Sequence, residues 1–166
     1  MGHYTLKRVS RIPISLDEAW DFFSSPKNLK EITPEKVGFN QLSNSGSDKM
    51  YEGQLITYTV SPILGIPIFW MTEITHVHAK KYFIDEQRYG PYAMWNHSHF
   101  FKEIKGGVEM TDLVQYKMPL GFIGRLGHTI LVKKQLDDIF AFREKRLIEK
   151  FGPPVPFSKE ETLSRV

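Results

Sequence analysis

The chain of 166 residues contains no cysteine, which excludes disulfide bonds, thiolate nucleophiles and cysteine-ligated metal centres. No apolar run approaches the roughly 18 residues that a membrane-spanning helix needs. The first residues, MGHYTLKRV, lack the apolar region of a signal peptide. We therefore expect a cytoplasmic protein without an integral membrane segment.

Charge of one sign is also scarce, because the net charge is only +3 and most basic residues are scattered. Nucleic-acid-binding proteins usually concentrate basic charge in one patch or stripe. The composition therefore indicates no nucleic-acid partner. A length of 166 residues fits one domain that buries its core without a structural metal. The oligomeric state, monomer or dimer, stays open.

The common catalytic and nucleotide-binding motifs are missing as well, namely G-x-S-x-G, the P-loop, the Rossmann motif and H-E-x-x-H. Gly121, Gly124 and Gly127 resemble a nucleotide-binding loop only superficially, because the strand before them ends a meander and not a βαβ unit. Their spacing favours the close approach of a helix to a sheet. We predict no cofactor.

The chain does contain a long helical pattern, from 121 to 151. Apolar residues recur there at steps of three and four, in two stripes. One stripe includes Leu126, Ile130, Ile139 and Phe142, and the other includes Val132, Leu136, Phe140, Leu147 and Phe151. So broad an apolar face predicts a large partner, such as a curved antiparallel sheet. The segment 152–166 carries three prolines and few apolar anchors, which predicts a flexible tail.

Upstream of this helix the pattern is mostly strand and turn. Residues 4–14 alternate as a first strand, and Ser15 with Glu18 forms a capping box that begins a short helix. Pro26 begins a second short helix. Six further strands are predicted at about 36–43, 52–61, 67–78, 80–89, 94–105 and 108–119. The predicted fold is α+β, with a seven-stranded antiparallel sheet around the C-terminal helix in one domain spanning 1–151.

The Gly106-Gly107 pair predicts a two-residue hairpin loop, which fixes the register of the last two strands. That register pairs Lys105 with Val108. One face then carries Trp95, His97, His99, Phe101, Asp112, Val114, Tyr116 and Met118, and the other face is more polar. We predict that the first face looks toward the long helix.

Polar groups on this mostly apolar face need partners, since an unpaired one costs about 1–3 kcal/mol. In the predicted register Asp112 can accept the ring N–H of His99. Two interpretations stay open. The polar residues form a buried hydrogen-bonded network with only structural value, or His97, His99 and Tyr116 present polar groups to a small-molecule ligand.

Two His-x-His pairs, His76 with His78 and His97 with His99, each place both imidazoles on one face of a strand. Zinc needs a third ligand, and Asp112 is a candidate at the second pair. The first pair lies at a strand end, where we expect solvation. We predict no metal at either pair. If the protein is an enzyme, His97, His99 and Asp112 are the candidate acid–base residues.

The segment FIDEQRYGPYAMWNHSHFF, with the following GGVEMTDLVQYKMPLG and the terminal helix, resembles a bacterial ligand-binding branch of the SRPBCC or START-like helix-grip superfamily. This branch is also labelled polyketide cyclase/dehydrase-like. The matching residues are Asp85, Gln87, Gly90, Pro91, Trp95, His97, His99, Phe101, Asp112, Tyr116 and Pro119. The resemblance, over about residues 3–151, implies an apolar cavity between the sheet and the C-terminal helix. The superfamily uses this cavity for lipids, sterols, polyketides, quinones and plant hormones, and some relatives are aromatase/cyclases.

The leading hypothesis is a protein that binds a hydrophobic or amphipathic small molecule, lipid-, polyketide- or quinone-like, in that cavity. Its predicted lining is Tyr58, Trp70, Trp95, His97, His99, Asp112, Tyr116, Ile130 and Phe142, with residues 61–69 and 90–92 at one entrance. An alternative is a cyclase, dehydrase or hydrolase in which Asp112 orients His97 or His99 as the base. A third hypothesis is an interaction module with a filled cavity, whose loop 63–70 binds a protein.

Overall fold

The computed structural model describes residues 3–43, 46–61, 66–119 and 132–157. The strands are β1 (Tyr4–Ile12), β2 (Asn40–Ser43), β3 (Gln54–Val60), β4 (Ile68–His78), β5 (Tyr82–Tyr89), β6 (Met94–Ile104) and β7 (Gly107–Lys117). Helix α1 (Leu16–Phe23) follows β1, two 3-10 helices (Pro26–Ile32 and Glu35–Val37) precede β2, and α2 (Lys133–Phe151) follows β7. The predicted seven-stranded sheet, C-terminal helix and short helices after the first strand are confirmed.

All seven strands form one antiparallel sheet in the order β1-β7-β6-β5-β4-β3-β2. The meander from β2 to β7 is therefore continuous, and β1 closes it by pairing with β7. The pairing of β4 with β5 shifts at two points, between Met71 and Thr72 and between Ile74 and His76. Such bulges bend a strand and increase its twist, so they curve the sheet in its middle.

The hairpin between β6 and β7 corrects the predicted register by two residues. Ile104 pairs with Gly107, so the loop consists of Lys105 and Gly106, not of the two glycines. Gly106 takes the positive φ of +86° that the turn needs. A Cβ on Gly107 would lie 2.1 Å from the backbone oxygen of Ile12, so this glycine allows β1 to approach. Because side chains alternate with a period of two, the two-residue error leaves every residue on its predicted face.

The predicted strand at 36–43 is shorter than expected, because residues 35–37 form a 3-10 helix and the strand begins at Asn40. The helical pattern predicted from 121 to 151 is helix over residues 133–151. Residues 120–131, which include the three spaced glycines, lie outside the described part of the chain.

Helix α1 begins with the predicted capping box. The backbone N–H of Glu18 donates to Oγ of Ser15 at 3.2 Å, and the N–H of Ser15 donates to Oε2 of Glu18 at 3.0 Å. The buried face of α1 packs into an apolar cluster between one end of the sheet and the end of α2. This cluster includes Phe22, Phe23, Phe83, Phe101, Met110 and Leu147. The α1 cluster anchors the C-terminal half of α2 against the sheet.

Residues 152–157, the start of the predicted tail, run beside β1. The backbone N–H of Val155 donates to the carbonyl of Arg11 at 3.3 Å, and the Arg11 guanidinium donates to the carbonyl of Pro156 and lies 3.9 Å from the ring centroid of Phe157. Residues 158–166 are outside the described part. None of the described helices is both long and apolar enough to cross a membrane.

Candidate functional site

A cavity of about 190 Å³ lies between the sheet and α2. The side of the cavity that the sheet forms consists of inward-facing residues of four strands, which alternate as a sheet requires. Those residues are Ile56, Tyr58 and Val60 on β3, Trp70, Thr72 and Ile74 on β4, Phe83 and Asp85 on β5, and Trp95, His97 and His99 on β6. Helix α2 contributes Leu136, Ile139, Phe140 and Arg143 on the opposite side. The cavity is therefore mostly apolar, with one concentrated polar group.

Aromatic rings form one side of the cavity. Tyr58 and Trp70 stack with centroids 5.8 Å apart, and Trp70 meets Trp95 edge to face at 5.3 Å. Tyr92 completes this wall, with centroids 4.8 Å from Trp95 and 5.5 Å from Trp70. Ring contacts of this kind are worth about 0.5–1.5 kcal/mol beyond the burial of their area. The wall therefore consists of mutually packed rings that present both faces and edges.

The turn after β5 presents Tyr92 to the cavity. Nε2 of Gln87 donates to the carbonyl of Tyr92 at 2.7 Å, and the N–H of Tyr92 donates to Oε1 of Gln87 at 3.2 Å. A Cβ on Gly90 would lie 2.4 Å from that same Oε1. Gln87 and Gly90, which carry part of the family resemblance, therefore shape the turn that holds the aromatic wall.

The polar group is assembled by the register of three neighbouring strands. Asp85 on β5 is directly opposite His97 on β6, and Asp112 on β7 is directly opposite His99. The four side chains point to the same face, so they form a compact square in which carboxylates and imidazoles alternate. His97 and His99 are each 7% exposed and Asp112 is 2% exposed. Several buried ionisable side chains in contact with one another require opposite charges within the protein to compensate them.

The contacts within the square are short. Nε2 of His97 donates to Oδ1 of Asp112 at 2.9 Å, and Nε2 of His99 donates to Oδ2 of Asp85 at 3.0 Å. Nδ1 of His99 lies 3.0 Å from Oδ1 of Asp112, but it is not aligned for a hydrogen bond. Nδ1 of His97 lies 3.8 Å from Oδ2 of Asp85, beyond hydrogen-bond distance. Each imidazole thus has one nitrogen toward each carboxylate.

Arg143 of α2 supplies the buried positive charge. Its Nη1 donates to Oδ1 of Asp112 at 3.2 Å, and its side chain is 9% exposed. It lies on the inward stripe of α2 together with Leu136, Phe140 and Leu147. The helix therefore contributes an ion pair to the sheet as well as apolar contacts.

The environment moves the pKa values of the three buried groups in different directions. Burial alone would raise the pKa of Asp112, but Arg143 and the contacts of His97 and His99 outweigh it and hold that pKa well below its usual range. Burial and the neighbouring His99 lower the pKa of His97. Burial also acts to lower the pKa of His99, but contacts with Asp112 and Asp85 outweigh it and raise that pKa. His99 is therefore the imidazole of the pair that takes up a proton first.

Two buried donors that line the cavity find no acceptor among the described residues. They are Nε1 of Trp70 and Nε of Arg143. By contrast, the hydroxyl of Tyr58 is hydrogen-bonded to Oγ1 of Thr72 at 2.9 Å. A buried N–H without an acceptor costs about 1–3 kcal/mol. An oxygen atom placed within hydrogen-bond distance would satisfy either donor.

The structure brings together five of the residues predicted to line a ligand site, namely Tyr58, Trp70, Trp95, His97 and His99. Asp112 lies behind them and contacts the cavity through the two imidazoles. Tyr116 packs in a neighbouring cluster with Leu6 and Val114. Phe142 is on another side of α2, beside a surface depression that Lys30 and Glu31 also line. Ile130 lies outside the described residues, as do positions 62–65 of the predicted entrance loop.

Asp85 and Arg143 were not among the residues predicted to line the cavity, although the sequence contains a signal for each. Asp85 and His97 are equally far from Pro91 along the chain, so a hairpin centred on Pro91 would have paired them. Arg143 follows Leu136 and Phe140 at helical spacing and precedes Leu147 by four, which places a charge in a buried stripe. A buried arginine indicates a buried carboxylate partner, here Asp112.

Comparisons with known proteins give structural matches only. No protein-family model matches the chain, and no curated protein matches it. An uncharacterized protein from Rhizobium leguminosarum matches with a TM-score of 0.64 and 13% identity, over 89% of this chain and 96% of that chain. Major latex-like protein 151 from Panax ginseng matches with 0.62 and 12%, over 91% and 99%. The structure of Ara h 8.0201 matches with 0.58 and 15%, over 89% and 99%. At these identities the similarity establishes the fold alone.

Proposed function

We propose that this chain, which has the helix-grip fold of the SRPBCC superfamily, binds a hydrophobic small molecule carrying oxygen acceptors in the cavity between the sheet and α2. The observation that supports this most strongly is the pair of buried donors without a partner among the described residues, Nε1 of Trp70 and Nε of Arg143, on residues that line a mostly apolar cavity. Ligand sites combine apolar walls with a few such convergent polar groups. A ligand oxygen would satisfy each donor.

The aromatic wall of the cavity favours a flat, ring-containing ligand of the polyketide or quinone type over a flexible lipid chain. Tyr58, Trp70, Tyr92 and Trp95 present ring faces and edges that fit planar π-systems. The positive guanidinium of Arg143 favours a carbonyl or carboxylate oxygen at the opposite side. Such a ligand buries its rings against the wall and directs its oxygen atoms to the donors.

Isothermal titration with naphthalene-2-carboxylate, and with decanoate as the flexible-chain comparison, tests this function. We expect the aromatic acid to bind in one-to-one stoichiometry and more tightly than decanoate. Trp70→Phe keeps an aromatic ring but removes the donor, which is worth about 0.5–1.5 kcal/mol and so about 3- to 10-fold in affinity.

Trp20→Phe is the matched control, because Trp20 packs against Phe83 and Phe101 in the α1 cluster and does not itself line the cavity. This variant should bind the aromatic acid as tightly as the wild type. Failure of both acids to bind, or an equal loss in Trp20→Phe, would contradict the proposal.

A second function, acid–base catalysis on the bound molecule, is favoured by one observation. Because Nε2 of His97 donates to Asp112, the proton of the neutral ring is on Nε2, and Nδ1 has no hydrogen-bond partner among the described residues. Such a nitrogen can remove a proton α to a carbonyl, while Arg143 stabilises the enolate oxygen. Deuterium exchange of the methyl group of 2-acetonaphthone, followed by NMR, should be accelerated by the wild type and not by His97→Gln. Equal exchange rates would rule this function out.

A further inference from the structure

We propose that Asp85, His97 and His99 form a binding site for one divalent metal ion of the zinc class, with its open coordination positions in the cavity. The inference goes beyond the proposed function and does not depend on it. Among the described residues, these three are the group whose ligand atoms, one from each side chain, lie close enough together to bind one ion, all within 4.8 Å of one another.

The distances match a site that needs only a small adjustment. Oδ2 of Asp85 is 3.0 Å from Nε2 of His99 and 3.8 Å from Nδ1 of His97. Ligand atoms around a tetrahedral zinc ion with bonds of about 2 Å are roughly 3.3 Å apart. The metal would take the place of the proton on Nε2 of His99, and the neutral ring would then carry that proton on Nδ1, which lies 3.0 Å from Oδ1 of Asp112.

The opposite nitrogens of both rings lie close to one carboxylate, Asp112. Nε2 of His97 donates to it, and Nδ1 of His99 lies 3.0 Å from the same carboxylate oxygen without being aligned to donate. Metal-ligating histidines usually donate their second N–H to a carboxylate or carbonyl, which fixes the ring orientation. Asp112 does this for His97, and a reorientation of the His99 ring would let it do the same for His99.

The structure favours Asp85 as the third ligand, in place of Asp112, which the sequence suggested. Asp112, the candidate from the hairpin alone, is 2% exposed and contacts the rings from behind. Asp85 lines the cavity together with both histidines. Two imidazoles and one carboxylate with open positions are a ligand set that zinc and non-haem iron both use.

The charges around the site also fit a cation. Asp85 and Asp112 carry two negative charges, and Arg143 beside Asp112 carries one positive charge. A divalent ion with two neutral imidazoles leaves one net positive charge facing the cavity. That charge would favour an anionic or carbonyl ligand in the open positions.

The test uses full-length protein stripped of metal with EDTA and titrated with Zn²⁺ and with Co²⁺. We expect one equivalent of either ion, and a visible Co²⁺ absorption band that Zn²⁺ abolishes. Loss of a carboxylate that only orients a ligand costs about 10- to 100-fold in metal affinity, so replacing the ligating carboxylate by a neutral amide in Asp85→Asn should cost more than about 100-fold. His76→Gln, at the exposed pair, should bind as the wild type does.

X-ray absorption of the Zn²⁺-loaded wild type gives a measurement that does not depend on a variant folding. It should show imidazole scattering from two rings and a light-atom ligand. The proposal is overturned if the folded protein binds neither ion, if Asp85→Asn binds as tightly as the wild type, or if His76→Gln abolishes binding. Any of these results leaves binding of naphthalene-2-carboxylate unaffected, which separates the two proposals.

Discussion

Two His-x-His pairs lie on strands of the same sheet and have opposite environments. His76 and His78 on β4 are exposed, and their ring nitrogens contact the adjacent residues Thr75 and Ala79. His97 and His99 on β6 are buried between two aspartates and an arginine. Identical spacing therefore determines only that two rings share a face. The neighbouring strands and helix determine what that face can do.

A β-bulge explains which way the first pair points. Ile74 on β4 faces the cavity, and uninterrupted alternation would turn His76 and His78 inward as well. The pairing with β5 instead shifts between Ile74 and His76, and it is Val77 that lies opposite the buried Phe83. One extra residue thus moves both histidines to the outer face.

Removing the positive charge of Arg143, which compensates the buried carboxylate beside His97 and His99, should produce the largest change in the free energy of unfolding. Arg143→Met leaves Asp112 with an uncompensated buried charge, and we expect the free energy of unfolding to fall by about 3 kcal/mol. Arg146→Met, which removes an exposed arginine of the same helix, should cost no more than about 1 kcal/mol. Urea denaturation measures both. Equal losses would mean that Arg143 adds nothing specific to the buried cluster.

Substitution of one histidine in each pair should lower the free energy of unfolding by different amounts. His99→Gln disturbs contacts with Asp85 and Asp112 inside the protein and should cost about 2 kcal/mol. His76→Gln changes an exposed side chain and should alter stability by less than about 0.5 kcal/mol. The same denaturation experiment gives both values, and a loss in His76→Gln as large as in His99→Gln would refute the comparison.

The smallest expected effect is a difference in pKa between the buried imidazoles of His97 and His99. In NMR titrations of the ring protons, His99 should titrate above the ordinary value of about 6.5 and His97 below it. Because the folded-state pKa of His99 is raised, its stabilising contribution is complete below about 6.5 and is lost as the pH rises through the folded-state pKa. His97 contributes in the opposite sense, since its charged form is disfavoured by folding. Coincident titration of both rings would contradict the described contacts.

Much of this site could be predicted from the sequence, because side chains alternate along a strand with a period of two. A register error of two residues therefore leaves each side chain on its predicted face. The hairpin loop was predicted one residue too late, which shifts the pairing by two residues, yet His97, His99 and Asp112 stayed on one face. The bulge in β4 could not be predicted, because no glycine or proline marks it between Ile74 and His76.

The helix shows a different limit of prediction. Two apolar stripes were visible, and the sequence alone did not determine which one packs on the sheet. The stripe with Leu136, Phe140 and Leu147 is buried, whereas Phe142 is only half-buried. Arg143 would have distinguished them, because it falls in the buried stripe and has a carboxylate opposite.

The central claim is that the buried histidines and Trp70 face a ligand cavity, and the indole N–H signals test it most directly. A ¹H–¹⁵N spectrum of the wild type contains signals from Trp20, Trp70 and Trp95, which are the three tryptophans of the chain. During titration with naphthalene-2-carboxylate, the Trp70 signal should shift downfield as its N–H gains an acceptor, and the Trp20 signal should stay fixed. An unchanged Trp70 signal at saturating ligand, or a larger shift at Trp20, would contradict the account.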